Sequence, residues 1–99
     1  MTGQFKRDMK RERKGRYRAT VQADLLKAVT LLAADRPLPA HMVDHPLGGD
    51  WKNHRDCHIK PDLVLIYRKS DPPLARPQME PSRPKLHLVR IGSHSELGL

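Results

Sequence analysis

Apolar residues return every third or fourth position at Val21, Leu25, Ala28, Val29, Leu32 and Ala33, the spacing of one face of an α-helix. Thr20 stands where an N-cap belongs. The helix should run to about residue 35, because Arg36-Pro37-Leu38-Pro39 follows, and proline lacks the amide donor and turns the residue before it away from helical angles. Further along, the pattern changes to short apolar runs that predict three strands, at about residues 51–59, 63–68 and 86–91. The middle run, Leu63-Val64-Leu65-Ile66-Tyr67, is apolar at successive positions, as a central strand buried on both faces must be. Lys60-Pro61-Asp62 joins the first two strands as a hairpin. Between the second and third, residues 70–85 hold five of the chain's nine prolines and predict a long, stiff, exposed hairpin loop.

Residues 5–18 follow neither period. They alternate basic and acidic side chains with few apolar ones, which suits an exposed helix or a partly ordered arm interrupted near Gly15. The chain therefore reads as a single domain over residues 1–99, with a basic arm over 1–19.

This order of elements has a chemical consequence. An up-down-up meander puts the Lys60-Pro61 turn and the segment after Ile91 at the same end of the sheet, so His58, Asp62 and His94 converge there. The proline-rich loop falls at the opposite end. His45, in the loop that holds Gly48 and Gly49, starts from the far end and must fold back to join them.

Composition narrows the reading. Ninety-nine residues with 37% apolar and four Phe, Tyr or Trp side chains allow one small domain with a thin, aliphatic core and modest stability. The net charge is +8, and residues 1–20 alone carry eight basic side chains against two acidic ones. Such a field attracts phosphate backbones or an acidic protein, and by itself it does not separate RNA from DNA. No apolar run approaches the roughly 20 residues that span a bilayer, and the basic start is not followed by a signal-peptide core, so a cytosolic protein with no membrane partner is expected. Cys57 is the single cysteine, which excludes an intramolecular disulfide and a cysteine-rich zinc site; it reads as a small buried apolar residue.

The polar residues divide into candidates and bystanders. His54 and His58, on one strand, would stand about 13 Å apart, too far to share a metal ion, and no cofactor is expected. His41 and His87 read as ordinary surface or edge histidines, Trp51 and Tyr67 as packing residues. Lys52, Arg55, Lys60, Arg68 and Arg90 are candidates for contact with an RNA backbone, with Arg55 and Arg90 reading equally well as solvated strand-face charges. Cleaving RNA without a metal requires a base for the 2′-hydroxyl proton, an acid for the departing 5′-oxygen and positive charge at the phosphate. Imidazole, with an ordinary pKa of about 6.5, can fill either proton role near neutrality. A group of histidines with a carboxylate is thus a workable set on a polyanion.

The string Asp44-His45-Pro46-Leu47, Gly49, Trp51-Lys52, Arg55-Asp56, His58, Pro61-Asp62, Leu65-Ile66-Tyr67, followed by Arg90 and Gly92-Ser93-His94, resembles the YafQ branch of the RelE family of bacterial toxins. The resemblance implies an α+β fold with amino-terminal helices packed on a small antiparallel sheet. It implies a toxin of a type II toxin–antitoxin pair that enters the ribosomal A site and cuts mRNA there. The family's functional positions fall on His45, His58, Asp62 and His94. His94 would then be the acid or base, His58 and His45 would bind or neutralise the phosphate, and Asp62 would orient an imidazole. The implied partners are an acidic antitoxin in a toxin–antitoxin hetero-oligomer, the ribosome with its rRNA, and mRNA.

The chain departs from that pattern in four places. The family begins with a β-strand, whereas this sequence opens where that strand should have ended, so the sheet lacks it or it lies upstream. Leu63 stands where the nearest relatives carry Trp, and Gly98 where they carry an aromatic residue; each loss removes base stacking worth about 1–3 kcal/mol. The proline-rich stretch after Ser70 is an insertion away from the site. These departures keep a second class open, a RelE-like protein that binds its antitoxin without cleaving. A ParE-like gyrase inhibitor is a third, which does not need the histidines.

Overall fold

The computed structural model describes residues 1–70 and 85–99; the loop expected between the second and third predicted strands lies outside the described residues. Helix α1 (Gly3–Glu12) opens the chain, and α2 (Val21–Ala33) follows. A two-residue strand β1 (His45–Pro46) precedes β2 (Arg55–Lys60), β3 (Leu63–Ser70), β4 (Lys85–Gly92) and the short helix α3 (His94–Leu97). The four strands form one antiparallel sheet in the order β1-β2-β3-β4. This is the expected α+β architecture, with one short strand that the apolar pattern does not announce. Among the described residues no strand precedes α1, and no helix is long and apolar enough to cross a membrane.

The two faces of the sheet have different tasks. Cys57, Ile59, Leu63, Leu65, Tyr67, Leu88 and Ile91 join Phe5 and Met9 of α1 and Val21, Leu25, Ala28 and Leu32 of α2 in the main core. On the opposite face Val64 and Ile66 pack with Leu97, and Leu47, Trp51 and Val89 lean against them. The central strand is therefore buried on both sides, as its unbroken apolar run requires.

Helix α1 differs from the exposed arm expected of it. Its basic residues face outward, but Phe5, Asp8 and Met9 are buried. Spaced at three and four positions, they form one inward stripe that two apolar residues alone are too few to reveal in the sequence. Thr2 pins the start: its Oγ1 accepts from the Phe5 amide, while its own amide and hydroxyl donate to the Leu88 and Val89 carbonyls of β4.

Helix α2 buries the predicted stripe. Thr20 takes the N-cap position without using its hydroxyl. The helix ends before the prolines act: Asp35 adopts a left-handed backbone, φ 56°, and the Asp35 and Arg36 amides bond back to Leu32 and Leu31. That is a Schellman stop with aspartate in the place glycine usually takes.

The first strand predicted, over residues 51–59, is shorter than expected. Gly49–Trp51 is a 3₁₀ turn, Asn53 is left-handed at φ 69°, and pairing begins only at Arg55.

Candidate active site

His58 lies on β2 and His94 opens α3, and the antiparallel register sets them side by side. His58 faces Val64 across β2–β3 and Val64 faces Gly92 across β3–β4, two positions before His94. The rings meet edge to face, 5.2 Å between centroids at 85°. Ser93 holds His94 at the helix start through a capping box in which its Oγ accepts from the Glu96 amide and its amide donates to Glu96. That reciprocal pair fixes the angle at which the chain leaves β4.

His45 reaches the same region because the chain does fold back. β1 pairs with β2 so that His45 faces Asp56, and the Leu47 amide closes on the His54 carbonyl at 2.9 Å. Gly49, at φ 60°, makes the reversal possible, since a side chain there would be strained. His45 Nδ1 lies 2.8 Å from Oδ1 of Asp56 and 2.9 Å from the Val43 carbonyl.

Asp56, in the Arg-Asp-x-His segment, received no role from sequence, yet it sits under the whole cluster. It is 2% exposed. Burial pushes its pKa up, and the fields of His45, His58 and His94 oppose that rise, so this one carboxylate is within electrostatic reach of all three imidazoles. The signal was available: on a strand, Asp56 and His58 are two apart and share a face.

Asp62 comes to this end of the sheet, but it is bound to neither imidazole. Its carboxylate accepts from the Tyr17 hydroxyl and from Arg16 at 2.8 Å, both in the link between α1 and α2. The Tyr17 bond, with Arg16 and His94 assisting against partial desolvation, holds the Asp62 pKa below the ordinary carboxylate value. Arg16 and the Lys60 ammonium stand 5.2 and 5.6 Å from the Tyr17 ring centroid, which places positive charge beside the carboxylate. Neither Arg16 nor Tyr17 carries a sequence signal, because the contact spans more than 40 residues and depends on how α1 turns into α2.

The basic candidates are scattered. Lys60 pairs with Asp24 of α2. Arg55 is held by Asp44, which also accepts from the buried Tyr67 hydroxyl; this clamp fixes the loop leading into β1. Arg90 grips Asp8 through two nitrogens at 3.0 and 3.1 Å. Arg68 faces His87 at the other end of β3, five residues or roughly 16 Å along the strand from Leu63. Lys52 is exposed.

The two departures in aromatic residues have structural counterparts. Leu63 is 2% exposed and packs under the helices. Gly98 caps α3 at φ 72°, a conformation in which glycine is the unstrained choice. Among the described residues, no three His, Cys, Asp or Glu side chains are arranged to hold a metal ion. His54 lies outside β2, its ring meets Trp51 edge-on at 5.4 Å, and its Nδ1 lies 3.0 Å from the Lys52 carbonyl.

A small antiparallel sheet under two helices, with histidines and carboxylates gathered at one end, is the architecture expected of the RelE-like bacterial toxins that the sequence resembles. Residues 1–98 match the family described as bacterial toxin of type II toxin–antitoxin system, YafQ, and the chain belongs to that family. It is 42% identical over 71 residues to the mRNA interferase toxin YafQ of Escherichia coli K12, covering 71% of this chain and 74% of that protein. The crystal structure of YafQ from E. coli BL21(DE3) superposes with a TM-score of 0.72 at 34% identity, covering 97% of this chain and 91% of that one. A chain of the E. coli DinJ–YafQ complex superposes with a TM-score of 0.71 at 35% identity over the same shares of each chain.

Proposed function

We propose that this toxin is an mRNA interferase that cleaves mRNA on the ribosome by side-chain acid–base chemistry, with His45, His58, Asp62 and His94 as its working groups. The observation that carries the proposal is the gathering of His58 and His94 in ring contact, with His45 joined to the buried carboxylate beneath them. One imidazole takes the 2′-hydroxyl proton. Oxygen O2′ attacks phosphorus, the bond to O5′ breaks, and a second, protonated imidazole supplies the proton to O5′. The third imidazole and nearby cations neutralise the phosphate as its charge grows. The products are a 2′,3′-cyclic phosphate and a 5′-hydroxyl.

The net charge of +8 supports rRNA and mRNA as one set of partners and an acidic antitoxin as the other. Of the basic candidates, Lys60 stands nearest the Asp62 turn and is the best placed for the RNA backbone; Lys52, Arg55, Arg68 and Arg90 would act farther out. Work on translating ribosomes would place the protein in the cytoplasm, as a single domain.

The test is a reconstituted translation reaction supplied with wild type, His58→Ala or His94→Ala, with new 5′ ends mapped on the mRNA. Cuts in A-site codons that disappear in both variants are expected. Growth inhibition and cleavage that survive both substitutions would sink the nuclease reading. A second reading, an antitoxin-binding fold without cleavage, is favoured by the buried Leu63 and by the helix-capping Gly98; folded wild type that cuts nothing would establish it.

A further inference from the structure

Two acceptors converge on one nitrogen of His45. Nδ1 lies 2.9 Å from the Val43 carbonyl and 2.8 Å from Oδ1 of Asp56. Neither a carbonyl nor a carboxylate can donate, so the proton in this neighbourhood belongs to Nδ1. One N–H cannot point at both: it is directed to the carbonyl, and Asp56 Oδ1, 2.8 Å from the same nitrogen, stays buried without a hydrogen-bond donor.

Both acceptors are held there at a cost. Val43 is β-branched and left-handed, φ 48° and ψ 53°, a conformation that a β-branched residue rarely adopts and that persists only where its surroundings impose it. Asp56 is a buried carboxylate whose burial opposes ionisation. An orphaned carboxylate oxygen and a strained valine on one imidazole nitrogen are unfavourable for folding and useful for chemistry. His45 itself remains open, its side chain 47% exposed.

We propose that Asp56 is a positioning residue which, with the Val43 carbonyl, locks His45 as the Nδ1–H tautomer and so presents Nε2 as the proton acceptor of the cleavage. This rests on the nuclease reading and goes beyond it by assigning to Asp56 and the Val43 carbonyl the control of the His45 tautomer. The step balances: Nε2 takes the 2′-hydroxyl proton as O2′ bonds to phosphorus and the bond to O5′ breaks. O5′ takes its proton from another imidazole of the cluster. The imidazolium formed on His45 lies against Asp56, which stabilises that charge as it appears without accepting the proton.

The test separates the tautomer from the cutting. Side-chain ¹⁵N spectra of the free full-length protein read the His45 tautomer with no ribosome present, and single-turnover cleavage on programmed ribosomes reads the rate. Wild type should show His45 protonated at Nδ1 and bare at Nε2. Asp56→Asn puts an amide donor where an acceptor stood, so a mixture of tautomers is expected. The maximal cleavage rate should fall about 100-fold or more with ribosome affinity unchanged. A wild-type spectrum dominated by Nε2–H overturns the proposal, and needs no variant to fold. So does Asp56→Asn that cuts at the wild-type rate, or that loses cutting with the His45 tautomer intact. Wild type that cuts nothing overturns the nuclease reading and with it the base role of His45, while the spectrum still decides on the tautomer lock.

Discussion

The hydroxyl of Tyr17, in the link between α1 and α2, donates to the carboxylate of Asp62 in the β2–β3 turn, tying the helical layer to the end of the sheet where the histidines gather. Because this bond is the leading cause of the lowered Asp62 pKa, Tyr17→Phe should move the Asp62 carboxyl titration to higher pH. A carboxyl held below its ordinary value favours the fold above that value and loses the contribution as pH falls through its folded pKa. The melting temperature of Tyr17→Phe should therefore depend less steeply on pH below the ordinary value of 3.8. ¹³C titration of Asp62 checks this, and an unmoved curve would remove Tyr17 from the account.

Asp8 and Arg90 join the first helix to the last strand. Asp8 is 1% exposed and also accepts from the Ile91 amide. Burial pushes its pKa up, but the bonds from Arg90, Gln4 and Ile91 outweigh that, and the net direction is down. Asp8→Ala would leave a guanidinium and a buried amide without their acceptor, a loss of about 3 kcal/mol. Urea unfolding measures it. A loss near zero would mean that Arg90 finds water at no cost and that this pair does not hold α1 to the sheet.

Asp56 should oppose stability. Its pKa is raised by burial, so the folded chain holds that proton more tightly than the unfolded chain, and stability falls as pH rises through the ordinary and then the folded value. At pH 8 the Asp56→Asn protein should melt at or above the wild-type temperature. Calorimetry at that pH decides the matter. A clearly lower melting temperature would show that the contact with His45 outweighs the burial of the carboxylate.

Cys57 should be inert in the folded protein. It is fully buried in the main core, and burial pushes its thiol up to about 12, which leaves very little thiolate to react. A disulfide reagent at pH 8 should label it only at the rate of unfolding and at once in urea. Rapid labelling of native protein would show that β2 opens locally.

The local elements were legible where the chain repeats a simple period. The stripe of α2 and the doubly apolar run of β3 needed no knowledge of distant residues, and the antiparallel connections alone brought His58 and His94 to one end. The buried side of α1 was not legible. It rests on Phe5, Met9 and a buried Asp8, and an aspartate counts as apolar-facing only when Arg90, more than 80 residues away, is there to receive it.

The same limit divides the site. By itself the sequence determined which side chains can move protons, that they fall at strand ends, and that the molecule is basic enough to seek RNA, because residue type, spacing and charge are properties of the chain alone. Only the tertiary structure decided which partner each one takes. It gave Asp62 to Tyr17 and Arg16 rather than to an imidazole, folded His45 back onto β2, and set the unassigned Asp56 beneath three histidines. Those choices depend on burial, on backbone carbonyls such as that of Val43, and on contacts between residues far apart in sequence. None of these exists until the chain has folded.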